Sequence, residues 1–282
     1  VKVGASAARS VNRFPRRLGS LALGANAGLV FAFLYLPILV LIVFSFNGSR
    51  SVAVWSGFSL EWYEKLVQND ALLRAARNSL LIGLVSTLAA TGIGTLTALG
   101  MARFRFRLRT ALDVVLYLPI VIPEIVMGIS LLLFFNLAVF PALGTLLGLR
   151  ASLGLPTITI GHIAFNIPFV YVVVRARLEG FDRSLEEAAQ DLGADTWRTF
   201  WRVTFPLLLP GILGGALMAF TLSLDDFLVT AFTAGTASPT LPLYVYSLVR
   251  RGVTPEINAL SSLLLLFSIG LVVLSLVMQR RR

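Results

Sequence analysis

SLEEAAQDLGADTWRTFWRVTFP, residues Ser184–Pro206, reads as two short amphipathic helices divided by a glycine turn and set between two long apolar stretches. Ser184 and Glu187 have capping-box spacing, in which the hydroxyl accepts from a first-turn N–H and the carboxylate reaches back, so a helix is expected to start at Ser184. Leu185, Ala188, Ala189 and Leu192 fall at i, i+3, i+4 and i+7 and make one apolar stripe, with Glu186, Glu187, Gln190 and Asp191 facing elsewhere. Gly193 suits the left-handed position just past a helix end, where a side chain would be strained. Asp195 or Thr196 can cap a second helix, on which Trp197, Phe200, Trp201 and Phe205 share a face beside Arg198 and Arg202. Pro206 then opens the next apolar stretch. A water-facing helix pair with apolar faces, carried between membrane segments, calls for a partner protein.

The rest of the chain is membrane-like. Of its 282 residues, 57% are hydrophobic and 13% charged, with mean hydropathy +0.85, which excludes an ordinary water-soluble domain. A hydrocarbon core about 30 Å thick takes roughly 20 helical residues to cross. Six stretches are long enough: 21–46, 79–102, 111–135, 157–174, 207–234 and 259–278. Basic residues resist translocation, so their positions orient the chain. Lys2, Arg9, Arg13, Arg16 and Arg17 lie in the amino-terminal stretch 1–20, Arg103, Arg105, Arg107 and Arg109 in the second connection, Arg175, Arg177, Arg183, Arg198 and Arg202 around the helix pair 184–206, and Arg280, Arg281 and Arg282 in the tail 279–282. Both termini and the helix pair are thereby expected on the cytoplasmic side. The Ala25-Asn26-Ala27 triplet resembles a signal cleavage site, but it sits inside an apolar run that continues to Phe46, so an uncleaved anchor is expected.

Several chemistries are excluded. The net charge of +10 follows from membrane topology, and no basic helix carries interleaved aromatics for nucleic acid. Lys2 and Lys65 are the only lysines, and neither follows a glycine as a P-loop requires, so the chain cannot hydrolyse ATP by itself. Zero cysteines exclude disulfides and thiolate metal sites, and the single histidine, His162, lacks the spacing of a metal site.

Polar residues inside the apolar stretches are where solute chemistry is sought, because an ionised group at mid-bilayer costs at least about 2.5 kcal/mol unless it faces a cavity or a partner. Glu124 follows Pro119 and Pro123 and precedes Gly128, residues that permit local unwinding. Two roles fit it: a solute-binding carboxylate, or a protonated or paired group that organises the bundle. Asp225 and Asp226 cannot share one helix face. They fit either an entrance for a cation or the cap of a half-helix within Leu222–Thr230. His162 and Asn166 lie one turn apart, with Tyr171 beyond. Hydrogen bonding between helices is the expectation for His162, and Asn166 and Tyr171 join the candidate path.

The spacing Glu187-Ala188-Ala189, Gly193, Val203, Phe205-Pro206 resembles the EAA loop of ABC importer permeases, with Val and Phe where that pattern has Ile and Leu. More broadly, Phe44-Ser45-Phe46-Asn47-Gly48-Ser49-Arg50, Trp62-Tyr63, Ser223-Leu224-Asp225-Asp226-Phe227, Thr240-Leu241-Pro242 and Arg250–Leu260 look like permease subunits of the putrescine and spermidine importers. The resemblance implies an all-α integral membrane protein of six transmembrane helices, with a type I, MetI-like permease core over 75–275. It also implies a homologous second permease, an ATPase dimer that holds the ATP and Mg while this chain carries no cofactor, and a periplasmic binding protein. Ser184, Leu185, Glu187, Ala188, Ala189, Leu192, Gly193, Trp197, Phe200 and Trp201 would then couple to the ATPase. Glu124, Asn166, Tyr171, Asp225 and Asp226 would line the substrate path. Another organic cation or an opine is the alternative solute. An ion-coupled carrier using Glu124 as a proton relay leaves the EAA loop without a purpose, and a passive scaffold leaves Glu124 without one.

Overall fold

A computed structural model describes residues 16–50, 54–148, 150–236, 238–252 and 254–280. Lys2, Arg9, Arg13, Arg281 and Arg282, used above for orientation, lie outside the described residues. Among those described, the secondary structure is helical apart from an isolated bridge between Asn47 and Phe58. The helices are α1 (Arg16–Phe44), α2 (Glu61–Val67), α3 (Asp70–Arg103), α4 (Arg109–Val121), α5 (Glu124–Phe134), α6 (Phe140–Leu147), α7 (Leu155–Glu179), α8 (Ser184–Asp191), α9 (Thr196–Thr199), α10 (Phe205–Asp225), α11 (Leu228–Thr233), α12 (Leu241–Arg251) and α13 (Pro255–Arg280). π-Helical turns at Phe135–Val139 and Phe200–Thr204 join α5 to α6 and α9 to α10 without a break.

Five stretches among the described residues are long and apolar enough to cross a membrane: Gly19–Phe44, Asp70–Arg103, Glu124–Leu147, Leu155–Glu179 and Thr196–Asp225. A shorter apolar helix runs over Pro255–Gly270. The expected stretch 111–135 departs from this pattern. Pro123 disfavours helical backbone at the preceding residue, so Ile122 is extended, α4 stops at Val121, and a separate helix starts at Glu124 and runs on to Leu147. The stretch 207–234 is likewise divided, because α10 ends at Asp225 and α11 restarts at Leu228.

The chain forms two compact units. In the first, made of the segments before Asn69 and after Arg251, Asn47 organises the turn after α1. Its amide donates to the Val54 carbonyl at 2.8 Å and accepts from the Ser56 N–H at 2.8 Å, while its own carbonyl accepts from Trp62 Nε1 at 2.7 Å. Ser45 bonds the Tyr63 hydroxyl at 2.7 Å, which ties the FSFNGSR stretch to α2.

The second unit, Asn69–Arg251, is built on α3, α7 and α10. Ala98, Leu99, Met101, Val170, Tyr171, Val174, Leu208, Ile212 and Ala219 make one buried cluster. Small residues set the helix spacing. A Cβ on Gly94 would lie 2.8 Å from Val170 Cβ, and one on Gly215 would lie 3.3 Å from Val170 Cα, so α3 and α10 both approach α7 at Val170. Without a hydrophobic drive between helices in lipid, close packing of this kind is the main attraction.

Candidate coupling surface and translocation path

The Ser184–Phe205 element folds as two helices separated by a turn at Gly193, and three local features set it. Asp182, rather than a Ser184–Glu187 capping box, starts α8: its carboxylate accepts the Ser184 N–H at 2.9 Å, which holds Asp182 below the ordinary carboxylate range. Ser184 is itself the first helical residue, so its hydroxyl is not placed to cap. Gly193 takes φ +87°, and Asp195 caps α9 through the Arg198 N–H at 2.7 Å. Along the outer surface Leu185, Glu187, Ala188, Leu192, Trp197 and Trp201 are exposed, Leu192 by 90% and Trp197 by 70%. Ala189 and Phe200 are half-buried. Trp197, Phe200, Trp201 and Phe205 pack edge-to-face or tilted against one another with centroids 4.9 to 6.2 Å apart. An exposed apolar and aromatic patch on a short helix pair has the makeup of a protein-docking surface.

Glu186, which the periodicity places only off the apolar stripe, turns back toward the body. It accepts hydrogen bonds from Arg103 at the end of α3 and from the buried Thr204. Only the three-dimensional fold brings residues 103, 186 and 204 together, so nothing in local spacing marks them.

Two helix breaks lie in the second unit, and the helices that follow them pack together. A Cβ on Gly128, one turn into α5 from Glu124, would lie 2.6 Å from Phe232 Cδ2 and 3.2 Å from the Leu228 carbonyl, so α5 packs directly on α11. That contact lies about one turn past the break at Ile122–Pro123 and directly after the break at Asp226–Phe227. Glu124 is exposed at the start of α5, and Asp225 is exposed as the last residue of α10.

Asp226 has a different place. Its carboxylate accepts the Val229 and Thr230 N–H groups at 3.2 and 2.8 Å, so it caps α11, and it meets the Thr230 hydroxyl at 2.8 Å and His162 Nε2 at 3.1 Å. His162 Nδ1 contacts Ser223 Oγ at 2.7 Å, and Ser223 contacts Ser86 Oγ at 3.1 Å. This fully buried network joins α3, α7, α10 and α11. Asn166 and Tyr171 also lie in the core, each at 0% exposure. The Tyr171 hydroxyl donates to Asp113 at 2.6 Å, where Arg175 also donates at 2.6 Å, so this side chain braces α4 against α7. Of the five path residues, the structure thus leaves Glu124 and Asp225 open and encloses Asn166, Tyr171 and Asp226. Arg250 and Arg251 end the helix α12, with Arg250 over the Tyr246 ring at 5.6 Å.

Comparison with known proteins fits this architecture. Residues 90–281 match the family described as "Binding-protein-dependent transport system inner membrane component". The chain is 43% identical over 256 residues to the putrescine transport system permease protein PotI of Escherichia coli (strain K12), covering 90% of this chain and 87% of that protein. It is 41% identical over 252 residues to the spermidine/putrescine transport system permease protein PotC of Haemophilus influenzae, covering 89% and 94%. A bacterial ABC transporter involved in the import of the acidic polysaccharide alginate shares the fold, with TM-score 0.76 at 21% identity over 94% of this chain and 96% of that one. The protein belongs to the binding-protein-dependent transport system inner membrane component family and is a membrane-spanning permease subunit of an ABC importer.

Proposed function

We propose that the chain is one of two homologous permease subunits of a polyamine importer, with putrescine or spermidine as solute. A periplasmic binding protein delivers the solute, and a cytoplasmic ATPase dimer, which holds the ATP and Mg, drives transport from the α8–α9 side. The observation that carries the reading is a pair of helix breaks with open carboxylates, linked through the α5–α11 contact, in a chain more than 40% identical to putrescine and spermidine permeases.

The electrostatics favour a cation. The last carbonyls of α10 carry a partial negative charge, and Asp225 sits among them, so an ammonium group there meets two like-signed attractions. Glu124 lies at the positive end of α5, which stabilises its carboxylate without a bound cation. Asp225 is therefore the stronger cation contact and Glu124 the second. A diammonium chain needs two such points, because each charge must recover what it loses on leaving water.

The exposed face Leu185, Ala188, Leu192, Trp197 and Trp201, with Glu187 beside it, receives the ATPase. Closure of the ATPase dimer tilts this face and opens or shuts the path between permeases. Purification of the chain with its neighbouring permease and ATPase tests the assembly. A stoichiometric complex whose ATP hydrolysis rises on adding putrescine-loaded binding protein supports the reading, and a complex indifferent to every polyamine removes the solute assignment.

A further inference from the structure

We propose that Glu186 is a positioning residue for energy coupling: through Arg103 and Thr204 it clamps α8 to the ends of α3 and α10, so that force applied to α8 moves the permease core. This rests on the reading of α8 as the ATPase-docking helix. The need for a clamp follows from the local geometry. α8 is eight residues long, too short to hold its shape or position on its own. It is flanked by Gly180 on one side and Gly193, at φ +87°, on the other. A push on such a helix would be absorbed by its connections unless something ties it down.

The tie is present on the face opposite the docking surface. Glu186 Oε1 accepts from Arg103 Nη2 and from Thr204 Oγ1, and Arg103 Nη2 also reaches Thr204 Oγ1 at 3.5 Å. Arg103 is the last residue of α3, and Thr204 is the last residue of the π turn that leads into α10. Arg183 adds a second strand to the tie by donating to the Ala102 carbonyl at 3.2 Å. The Glu186 side chain is 17% exposed and that of Arg103 34%, while Thr204 is fully buried, so the carboxylate is partly shielded and its bond to Thr204 lies on the buried side. Charge-assisted bonds of this kind fix geometry as well as distance. Both helices that receive the tie pack on α7 at Val170, so a displacement of α8 is delivered to the three-helix core. Glu186 and Glu187 thus divide the work: one faces the body and the other faces outward.

The native chain has no cysteine, so Gln190→Cys on the exposed side of α8 carries a single spin label. The measurement compares label mobility in the permease alone, co-purification of the ATPase, and uptake per ATP hydrolysed in the full complex. For Glu186→Gln the expected result is a more mobile label, retained ATPase, and uptake per ATP reduced at least ~5-fold, the lower end of typical coupling effects. The charge exchange Arg103→Glu with Glu186→Arg is expected to restore part of both mobility and coupling. Unchanged mobility with unchanged uptake per ATP in Glu186→Gln overturns the proposal. So does loss of the ATPase that the charge exchange fails to rescue, which would put Glu186 in the docking face. If the unmodified chain retains no ATPase, the coupling reading itself fails and the proposal with it; label mobility in the permease alone distinguishes that failure from a failure of the clamp.

Discussion

His162 and Asp226 meet 3.1 Å apart inside the helix core, each with a side chain only 3% exposed, at the point where α10 stops and α11 begins. The contact locks α7 to the helix break, because the same carboxylate that faces His162 also caps α11. Removing one partner of a buried pair strands the other. Asp226→Ala is therefore expected to destabilise the protein by about 3 kcal/mol. Asp226→Asn, which keeps an acceptor for the α11 N–H groups, should cost less. Thermal unfolding in detergent checks this, and equal stability of the alanine variant and the parent would refute it.

Asp225 differs from its neighbour by one position and by its exposure. Asp225→Asn is expected to leave thermal stability within about 0.5 kcal/mol of the parent, as surface changes do, while abolishing polyamine uptake. Glu124→Gln is expected to abolish transport with the complex still assembled. Stability and uptake measured on the same preparations separate the two effects. Unchanged uptake kinetics in both variants would leave these carboxylates with a packing role only.

On the docking face, Glu187→Lys is expected to weaken ATPase association and abolish uptake while membrane insertion continues. Leu192, 90% exposed in the isolated chain, is the sharpest apolar probe. Leu192→Ala is expected to cost on the order of 1–2 kcal/mol of association, as truncation of a well-packed interface anchor does. Titration of the ATPase against permease in nanodiscs reads both, and normal affinity in both variants would contradict the docking assignment.

Helix spacing gives a prediction independent of transport. Gly94→Ala would place a methyl 2.8 Å from Val170 Cβ and 3.0 Å from the Ile167 carbonyl, forcing α3 away from α7. Overpacking of this kind costs about 1–3 kcal/mol. Gly100→Ala, on the same helix with nothing within 4 Å of the new methyl, should be neutral or slightly stabilising. A smaller thermal shift for Gly94→Ala than for Gly100→Ala would disprove the packing account.

The membrane helices and the helix pair at Ser184–Thr199 are legible in sequence because each rests on local information: runs of apolar residues, a 3.6-residue stripe, and a glycine whose backbone needs left-handed φ. The break before Glu124 was half legible. Pro119, Pro123 and Gly128 all permit unwinding, yet the chain unwinds only at Pro123; Pro119 stays within α4 and Gly128 within α5, where it admits Phe232. Asp226 also looked equally suited to a path or a cap, since the choice depends on His162, 64 residues away in sequence. The enclosure of Asn166 and Tyr171 and the inward turn of Glu186 are tertiary facts. Periodicity can say that a side chain leaves one face of its helix, but not whether another helix waits on the other.

The central claim is tested most directly by uptake of radiolabelled putrescine and spermidine into vesicles that hold this chain with its neighbouring permease and ATPase, supplied with binding protein. The account predicts saturable uptake that requires both ATP and the binding protein and that is lost in the Asp225→Asn variant. Uptake of neither polyamine, together with ATP hydrolysis stimulated by some other solute, would contradict the polyamine assignment and leave a permease for a different cargo.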